Sequence, residues 1–226
     1  MRLIDADTAQ PGLTIVSAHQ AEGKGQRGRM WQAQPGESLL MSLISTPNFG
    51  LEQQFTFSAT VAVAIAKTLQ KLNEDWNVAI KWPNDIIIND KKAGGVLIEN
   101  VIRGQKWSYA IIGFGLNVRQ RAFPAELPTA TSLYVASGGI WYSVNELRDV
   151  LRKTILEDIS SPANTECVLQ AYNEWLYKKG AAQAFVQNDS SWEAVISQAN
   201  ADGTLQVILP GGETAAYVHG AVNWKW

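Results

Sequence analysis

From Phe55 to Leu72 the chain is apolar on almost every face of a helix. Phe57, Val61, Ala62, Ile65, Ala66, Leu69 and Leu72 recur at helical spacing, and Val63 and Ala64 fill the other faces. A helix without a polar face cannot lie on a surface, so other elements must enclose it. It is expected to be a central support with no chemistry of its own. Strands are read on both sides of it. Leu13 to Ala18 is a β-branched apolar run, expected to be a buried strand. Ser38 to Ser45 is a second strand, closed by Thr46-Pro47-Asn48, and Trp76 to Lys81 is a third.

Lys81 ends that third strand and opens the run Lys-Trp-Pro-Asn-Asp. Pro83 cannot donate a ladder hydrogen bond, and Asn84 and Asp85 favour a turn by bonding back to their own backbone. A short apolar strand, a polar hairpin at Asn89-Asp90-Lys91-Lys92 and a second apolar strand reaching Glu99 follow. Lys81 is thus expected where a strand gives way to a loop. Such a place can hold a cation in fixed geometry against an anion; the alternative is a solvated lysine beside an ordinary turn.

Ala93 to Val101 and Lys106 to Ile112 flank Arg103-Gly104 as a hairpin. The second of these strands is read as ending in Gly113-Phe-Gly-Leu-Asn-Val118. Glycines at a strand end let a ligand or another segment approach the backbone, and Asn117 offers both a donor and an acceptor. A plain β-bulge is the alternative.

Gly23-Lys-Gly-Gln-Arg-Gly28 matches the dinucleotide-binding pattern G-x-G-x-x-G. That pattern needs a helix opening at its third glycine and an acidic residue about 20 positions on. Gly28 is followed instead by Arg-Met-Trp-Gln-Ala-Gln-Pro-Gly, and position 48 is Asn. The dinucleotide reading fails. What remains is a glycine-rich loop carrying Lys24, Arg27 and Arg29, suited to a phosphate or carboxylate. The alternative is a flexible, solvated basic loop. With a net charge of −2 the chain has no broad footprint for nucleic acid, so phosphate chemistry needs such a local cluster.

Residues 119–142, with Pro124, Pro128 and Gly138-Gly139, are expected to form a mobile loop. Asn145 to Ile159 is read as an amphipathic helix with Leu147, Val150, Leu151 and Ile155 on one face. Cys167 to Tyr177 is another, through Val168, Ala171, Tyr172, Trp175 and Leu176. Cys167 is the one cysteine, so no internal disulfide and no zinc spacing are available; beside this stripe it is read as a packed thiol. From Gly180 the pattern changes. Short runs at 184–186, 192–197, 204–209 and 214–218, separated by Asn-Asp-Ser, Asp-Gly and Pro-Gly-Gly turns, predict a small all-β unit, read as a partly closed barrel. No run approaches a membrane span, and Met-Arg-Leu-Ile-Asp-Ala-Asp has no apolar signal core, so neither a membrane nor a nucleic-acid partner is expected and the location is read as cytoplasmic.

Taken together, these segments resemble the biotin protein ligases. Gln20, Gly23-Lys24-Gly25-Gln26 and Gly28-Arg29-Met30-Trp31 are similar to the family's Gln followed by a G-R-G-R-type loop and a G-R-x-W end. Lys81 to Asp85 matches K-W-P-N-D identically, Lys92 to Gly95 matches K-x-x-G, and Gly113 to Asn117 matches G-x-G-x-N. The resemblance implies an α/β (α+β) fold: a mixed-sheet catalytic domain of the class II synthetase-like type over residues 1–179, then a small SH3-like β domain over 180–226. It implies ATP-dependent formation of biotinyl-5′-AMP and transfer of biotin to a lysine of a biotin carboxyl carrier protein, as in biotin–[acetyl-CoA-carboxylase] ligases.

Biotin, ATP and Mg²⁺ are the small molecules implied. Lys81 and Arg29 are implied as catalytic, with Lys81 shared between biotin and the α-phosphate. Gln20, Lys24, Gly25 and Gln26 fall on the biotin side, and Gly23, Arg27, Gly28, Trp31, Asn84, Lys92, Gly94, Gly95, Gly113, Gly115 and Asn117 complete the ligand set, Arg29 and Trp31 toward the phosphates and adenine and Asn117 toward the nucleotide. The loop is expected to order over the adenylate and exclude water. No metal ligands are assigned.

Three departures stand out. Lys24 replaces a usual Arg, keeping charge but losing bidentate geometry. Gln26 stands where many members carry another Arg, so retention of the adenylate is expected to differ. The family's upstream Ser-Thr-Asn segment has no counterpart in residues 1–12, so the chain is expected to start late. No helix-turn-helix precedes the catalytic segments, so no repressor role is expected. A homodimer through the sheet is compatible with the resemblance. Two competing readings follow: a lipoate or octanoyl transferase, and a biotin- or nucleotide-binding module without catalysis.

Overall fold

The computed structural model describes residues 9–20, 23–28, 30–31, 33–161 and 164–225. Helix α1 (Gln54–Leu72) takes the central place expected of it and is buried continuously from Ala59 to Ala66. Leu72, at its last turn, is exposed. Chain order gives β1 (Thr14–Ser17), β2 (Gly23–Lys24), β3 (Met30–Trp31) and β4 (Ser38–Ser45) before α1. After it come β5 (Val78–Lys81), β6 (Asp85–Ile88), β7 (Lys91–Arg103) and β8 (Lys106–Asn117). These build a six-stranded sheet in the order β1-β4-β8-β7-β6-β5, and β2 and β3 form a separate two-stranded ladder.

The expected mixed pairing is corrected: every ladder of the large sheet is antiparallel. Parallel pairing is confined to single bridges such as Ile80–Leu176 and Lys92–Ala130. The reason is connectivity. β5 to β8 follow one another through tight turns, and a tight turn can only reverse a strand. The turn Asn89-Asp90 has both residues at positive φ, 50° and 62°, as a two-residue hairpin requires.

Helices α2 (Leu133–Ala136), α3 (Val144–Ser160) and α4 (Thr165–Glu174) follow. α1 packs against α3, α4 and β5. On β8, Ile112, Phe114 and Leu116 point into this shared core. Strand periodicity then turns residues 111, 113, 115 and 117 to the opposite face. The face away from the helices is where the site lies.

Five strands close the chain: β9 (Ala182–Gln187), β10 (Ser190–Ala199), β11 (Leu205–Ile208), β12 (Thr214–Tyr217) and β13 (Asn223–Trp224). They form one antiparallel sheet in the order β12-β11-β10-β9-β13, the small β unit expected after Gly180. Trp82 Nε1 donates to Gly203 O at 3.1 Å, Asn173 Nδ2 donates to Ala199 O at 3.0 Å, and Ala199 N donates to Asn173 Oδ1 at 2.7 Å. One hydrophobic core runs through both sheets.

Other expectations change. The run 13–18 does form a strand, but among the described residues it lies at the sheet edge, paired with β4 alone, and Ile15 and Val16 are exposed. On α3 the buried residues are Leu147, Leu151, Ile155 and Ile159, a strict i+4 row, which leaves Val150 exposed. Cys167 is exposed, not packed, because it lies one residue off the α4 row through Val168 and Tyr172. Segment 119–142 is anchored by buried Gln120, Thr131, Ser132 and Leu133. Ser132 Oγ donates to Gln120 O at 2.6 Å and accepts from Val135 N at 3.1 Å, capping α2. The expectations for residues 1–8 lie outside the described residues. Among the described residues no helix is long and apolar enough to cross a membrane.

Candidate active site

A cleft of about 1430 Å³ opens on the helix-free face of the large sheet, walled on one side by Phe185, His219 and Trp224 of the small β unit. Gly113 and Gly115 lie on its floor. Neither has positive φ; what they supply is space. A Cβ on Gly113 would stand 3.2 Å from Leu97 O, and one on Gly115 would stand 2.7 Å from the Trp31 ring. They fall inside β8, which continues to Asn117, and the register shift of the β7–β8 pair lies at Val101/Ile102. The bulge alternative therefore fails.

Lys81 ends β5, as its sequence suggested. Ile80 N donates to Trp175 O at 2.7 Å and Tyr177 N to Ile80 O at 2.9 Å, so the strand end is gripped from outside the sheet. Lys81 Nζ stands 4.7 Å from the centroid of the Trp224 ring. The following Trp82–Pro83 peptide is cis. Asn84 is used within the turn: its Nδ2 donates to Val96 O, and Val96 N donates to Asn84 O at 3.0 Å.

Tyr172 fastens the turn from below, donating its hydroxyl to Pro83 O at 3.0 Å. Burial pushes the Tyr172 phenol well above its usual value, and the Asp85 carboxylate adds to the rise, so the group stays neutral. Lys92 Nζ pairs with Asp85 Oδ1 at 2.6 Å. A Cβ on Gly95 would meet Asp85 Oδ1 at 3.4 Å and Lys92 Nζ at 3.8 Å, ordinary contact distances, so the glycine of K-x-x-G borders the lysine's ion pair without being required by it.

The glycine-rich loop folds as the β2–β3 ladder around a short 3-10 turn, Gln26–Gly28, with Gly28 at φ 75°. Gln20, Gly25, Gln26 and Trp31 line the cleft, together with Lys81, Asn84, Lys92, Gly95, Gly113, Gly115 and Asn117. Gln26 Oε1 and Trp31 Nε1 are buried without a hydrogen-bond partner. Buried polar atoms are nearly always satisfied, so this acceptor and donor mark a place for a ligand or water. Gly23, Gly28 and Gly94 support the site without lining it: Gly23 is pressed against the Trp31 backbone, and a Cβ on Gly94 would meet Gly115 O at 2.8 Å. The side chains of Lys24 and Arg27, and all of Arg29, lie outside the described residues.

Asn117 is less available than expected. Its Nδ2 donates to Thr131 O at 3.0 Å, and its Oδ1 accepts from Gln120 Nε2 at 3.4 Å. Gln120 and Trp224 line the cleft without having been expected there. Gln120 Oε1 is also buried without a partner. Among the described residues no three His, Cys, Asp or Glu side chains gather to hold a metal ion.

The family model described as Biotin/lipoate A/B protein ligase family matches residues 2–117, so the chain belongs to that family. The bifunctional ligase/repressor BirA of Bacillus spizizenii is 38% identical over 135 residues, 58% of this chain and 41% of that protein. The biotin–protein ligase of Homo sapiens is 39% identical over 127 residues, 52% of this chain and 17% of that protein. The chain thus spans less than half the length of these relatives. Among solved structures, the biotin protein ligase from Aquifex aeolicus in complex with biotin and ATP has a TM-score of 0.80 at 22% identity, over 96% of this chain and 90% of that one. The fold is shared nearly end to end.

Proposed function

We propose that the chain is an ATP-dependent biotin protein ligase that forms biotinyl-5′-AMP and passes biotin to a lysine of a biotin carboxyl carrier protein, as a biotin–[acetyl-CoA-carboxylase] ligase does. The observation that carries this reading is one cleft that joins a glycine floor, the cations Lys81 and Lys92, and the unpartnered Gln26 and Trp31 atoms. The names of the relatives favour biotin over lipoate.

In the first step a biotin carboxylate oxygen bonds to the α-phosphorus of ATP, and the bond to the β-phosphate breaks, releasing pyrophosphate. In the second the neutral carrier amine bonds to the acyl carbon, AMP departs with the bonding pair, and the amine loses a proton. Two anions must be held at bonding distance while charge grows on the phosphoryl oxygens. A fixed cation lowers that barrier by roughly several kcal/mol.

Lys81 is assigned as that cation, with Arg29 as its catalytic companion. Gln20 and the 23–26 backbone take the biotin side. Arg27, Gly28, Trp31, Gly113, Gly115 and Asn117 take the nucleotide, while Asn84, Lys92, Gly94 and Gly95 keep the turn and floor in shape. Mg²⁺ would arrive with the ATP substrate, held by its phosphates with few protein ligands. Residues 1–179 form the catalytic unit and 180–226 the appended β unit, working in the cytoplasm.

The test is biotin-dependent exchange of labelled pyrophosphate into ATP, followed by transfer to a carrier domain. Exchange driven by lipoate in place of biotin refutes the assignment. Biotin binding without exchange makes the chain a binding module instead.

A further inference from the structure

We propose that Trp224 is a positioning residue for the reaction: its indole face parks the Lys81 ammonium, so that the small β unit helps to set the catalytic cation. This rests on the ligase reading for the role of Lys81, but its geometry does not. Lys81 Nζ lies 4.7 Å from the Trp224 centroid, well within the reach of a cation–π contact. The ring is held in turn. Strand β13 pairs with β9 so that Trp224 is the register partner of Phe185, their ring centroids are 5.9 Å apart, and the Tyr177 ring centroid stands 6.0 Å away. Trp224 Nε1 reaches Gln183 Oε1 at 3.4 Å.

Asp85 is the strand partner of Lys81 across the Trp82–Asn84 turn, yet its Oδ1 is engaged by Lys92 at 2.6 Å. A carboxylate partner adds negative charge and competes with an incoming anion. An indole holds the ammonium through its quadrupole and brings no net charge. The lysine stem has several rotatable bonds, and a ring that fixes it beforehand removes part of the ordering cost from the transition state.

Trp224→Leu and Trp224→Phe, each alone and combined with Lys81→Ala in the whole chain, test the assignment. ATP affinity is read by calorimetry, exchange by kcat and KM, and folding by thermal melting. Both substitutions lose the Gln183 contact, so both should lower the melting temperature alike. Leu removes the π face and should weaken ATP binding and lower exchange kcat by roughly tenfold, with KM for biotin little changed; Phe should stay within about threefold. With Lys81→Ala already present, Leu should not weaken ATP binding further. Equal losses for Leu and Phe, or a Leu effect that is undiminished without Lys81, overturn the proposal. An unsubstituted chain without exchange refutes the ligase reading alone, and the four ATP affinities still decide whether Trp224 acts through Lys81.

Discussion

Trp31 lies flat enough on Gly115 that a β-carbon at position 115 would stand 2.7 Å from ring atom Cε2 and 2.9 Å from Cζ2. The indole belongs to a two-residue strand at the cleft mouth, so it is the partner that yields. Gly115→Ala is therefore expected to leave the core folded and to displace Trp31. Displacement of a positioning group by about 1 Å can cost roughly a hundredfold in rate. Pyrophosphate exchange should fall at least tenfold while the urea midpoint stays near that of the parent.

Gly94→Ala should behave in the opposite way. Its β-carbon would meet Gly115 O at 2.8 Å, and that carbonyl belongs to the central β7–β8 ladder. Backbone in a central ladder cannot step aside. Overpacking of this kind costs about 1–3 kcal/mol. Urea unfolding should show that loss, and a variant as stable as its parent would mean that the two strands are not packed this closely.

Lys81→Ala should abolish adenylate formation with the fold intact, since β5 is held by backbone bonds at Ile80 and by its ladder with β6. Loss of one transition-state donor is worth about 10²–10³ in kcat. Arginine should rescue poorly, because a broad planar fork cannot occupy the place of a compact ammonium. Exchange that survives in Lys81→Ala removes this residue from the mechanism.

Tyr172→Phe should weaken the turn that carries Lys81. The phenol is fully buried and donates to Pro83 O at 3.0 Å, so the substitution strands a carbonyl beneath the site. The expected loss is about 1–2 kcal/mol of folding free energy, read by urea denaturation with an unchanged slope. No change in midpoint would mean that water replaces the hydroxyl at Pro83.

Local pattern carried much of this fold. Strand β4 matches its apolar run residue for residue, and α1 begins one residue before its predicted start. The turn chemistry of Pro83, Asn84 and Asn89-Asp90 placed Lys81 at a strand end. What failed needed partners that spacing does not reveal. Edge or centre is decided by which strands pair, so the apolar run at 13–18 could not announce its exposure. Val150 and Ile159 differ by where α1 crosses α3. Trp224 meets Lys81 across 143 positions (224 − 81), and Gln120 sits in a segment without periodicity; neither leaves a local signal. The glycines of β8 were legible as sites of close approach, while the partner of Gly115, Trp31, was not.

The Asp90–Lys178 pair gives the fold a small, calculable pH dependence. Lys178 Nζ lies 2.8 Å from Asp90 Oδ1, and the two side chains are 37% and 59% exposed, lysine first. Hydrogen bonds from Lys178, and then from Tyr177, hold the Asp90 carboxyl below its usual value. A depressed folded value stabilises the native state above the unfolded pKa of about 3.9, and that contribution disappears as pH falls through the lower folded value. Solvent screening of so exposed a pair limits it to about 0.5–1 kcal/mol. Asp90→Asn removes the charge and keeps a residue that accepts the left-handed backbone at φ 62°. The unfolding free energies of parent and variant should therefore differ at pH 7 and differ less at about pH 3, below the unfolded value. A difference of the same size at both pH values would assign the effect to the hairpin turn instead of the ion pair.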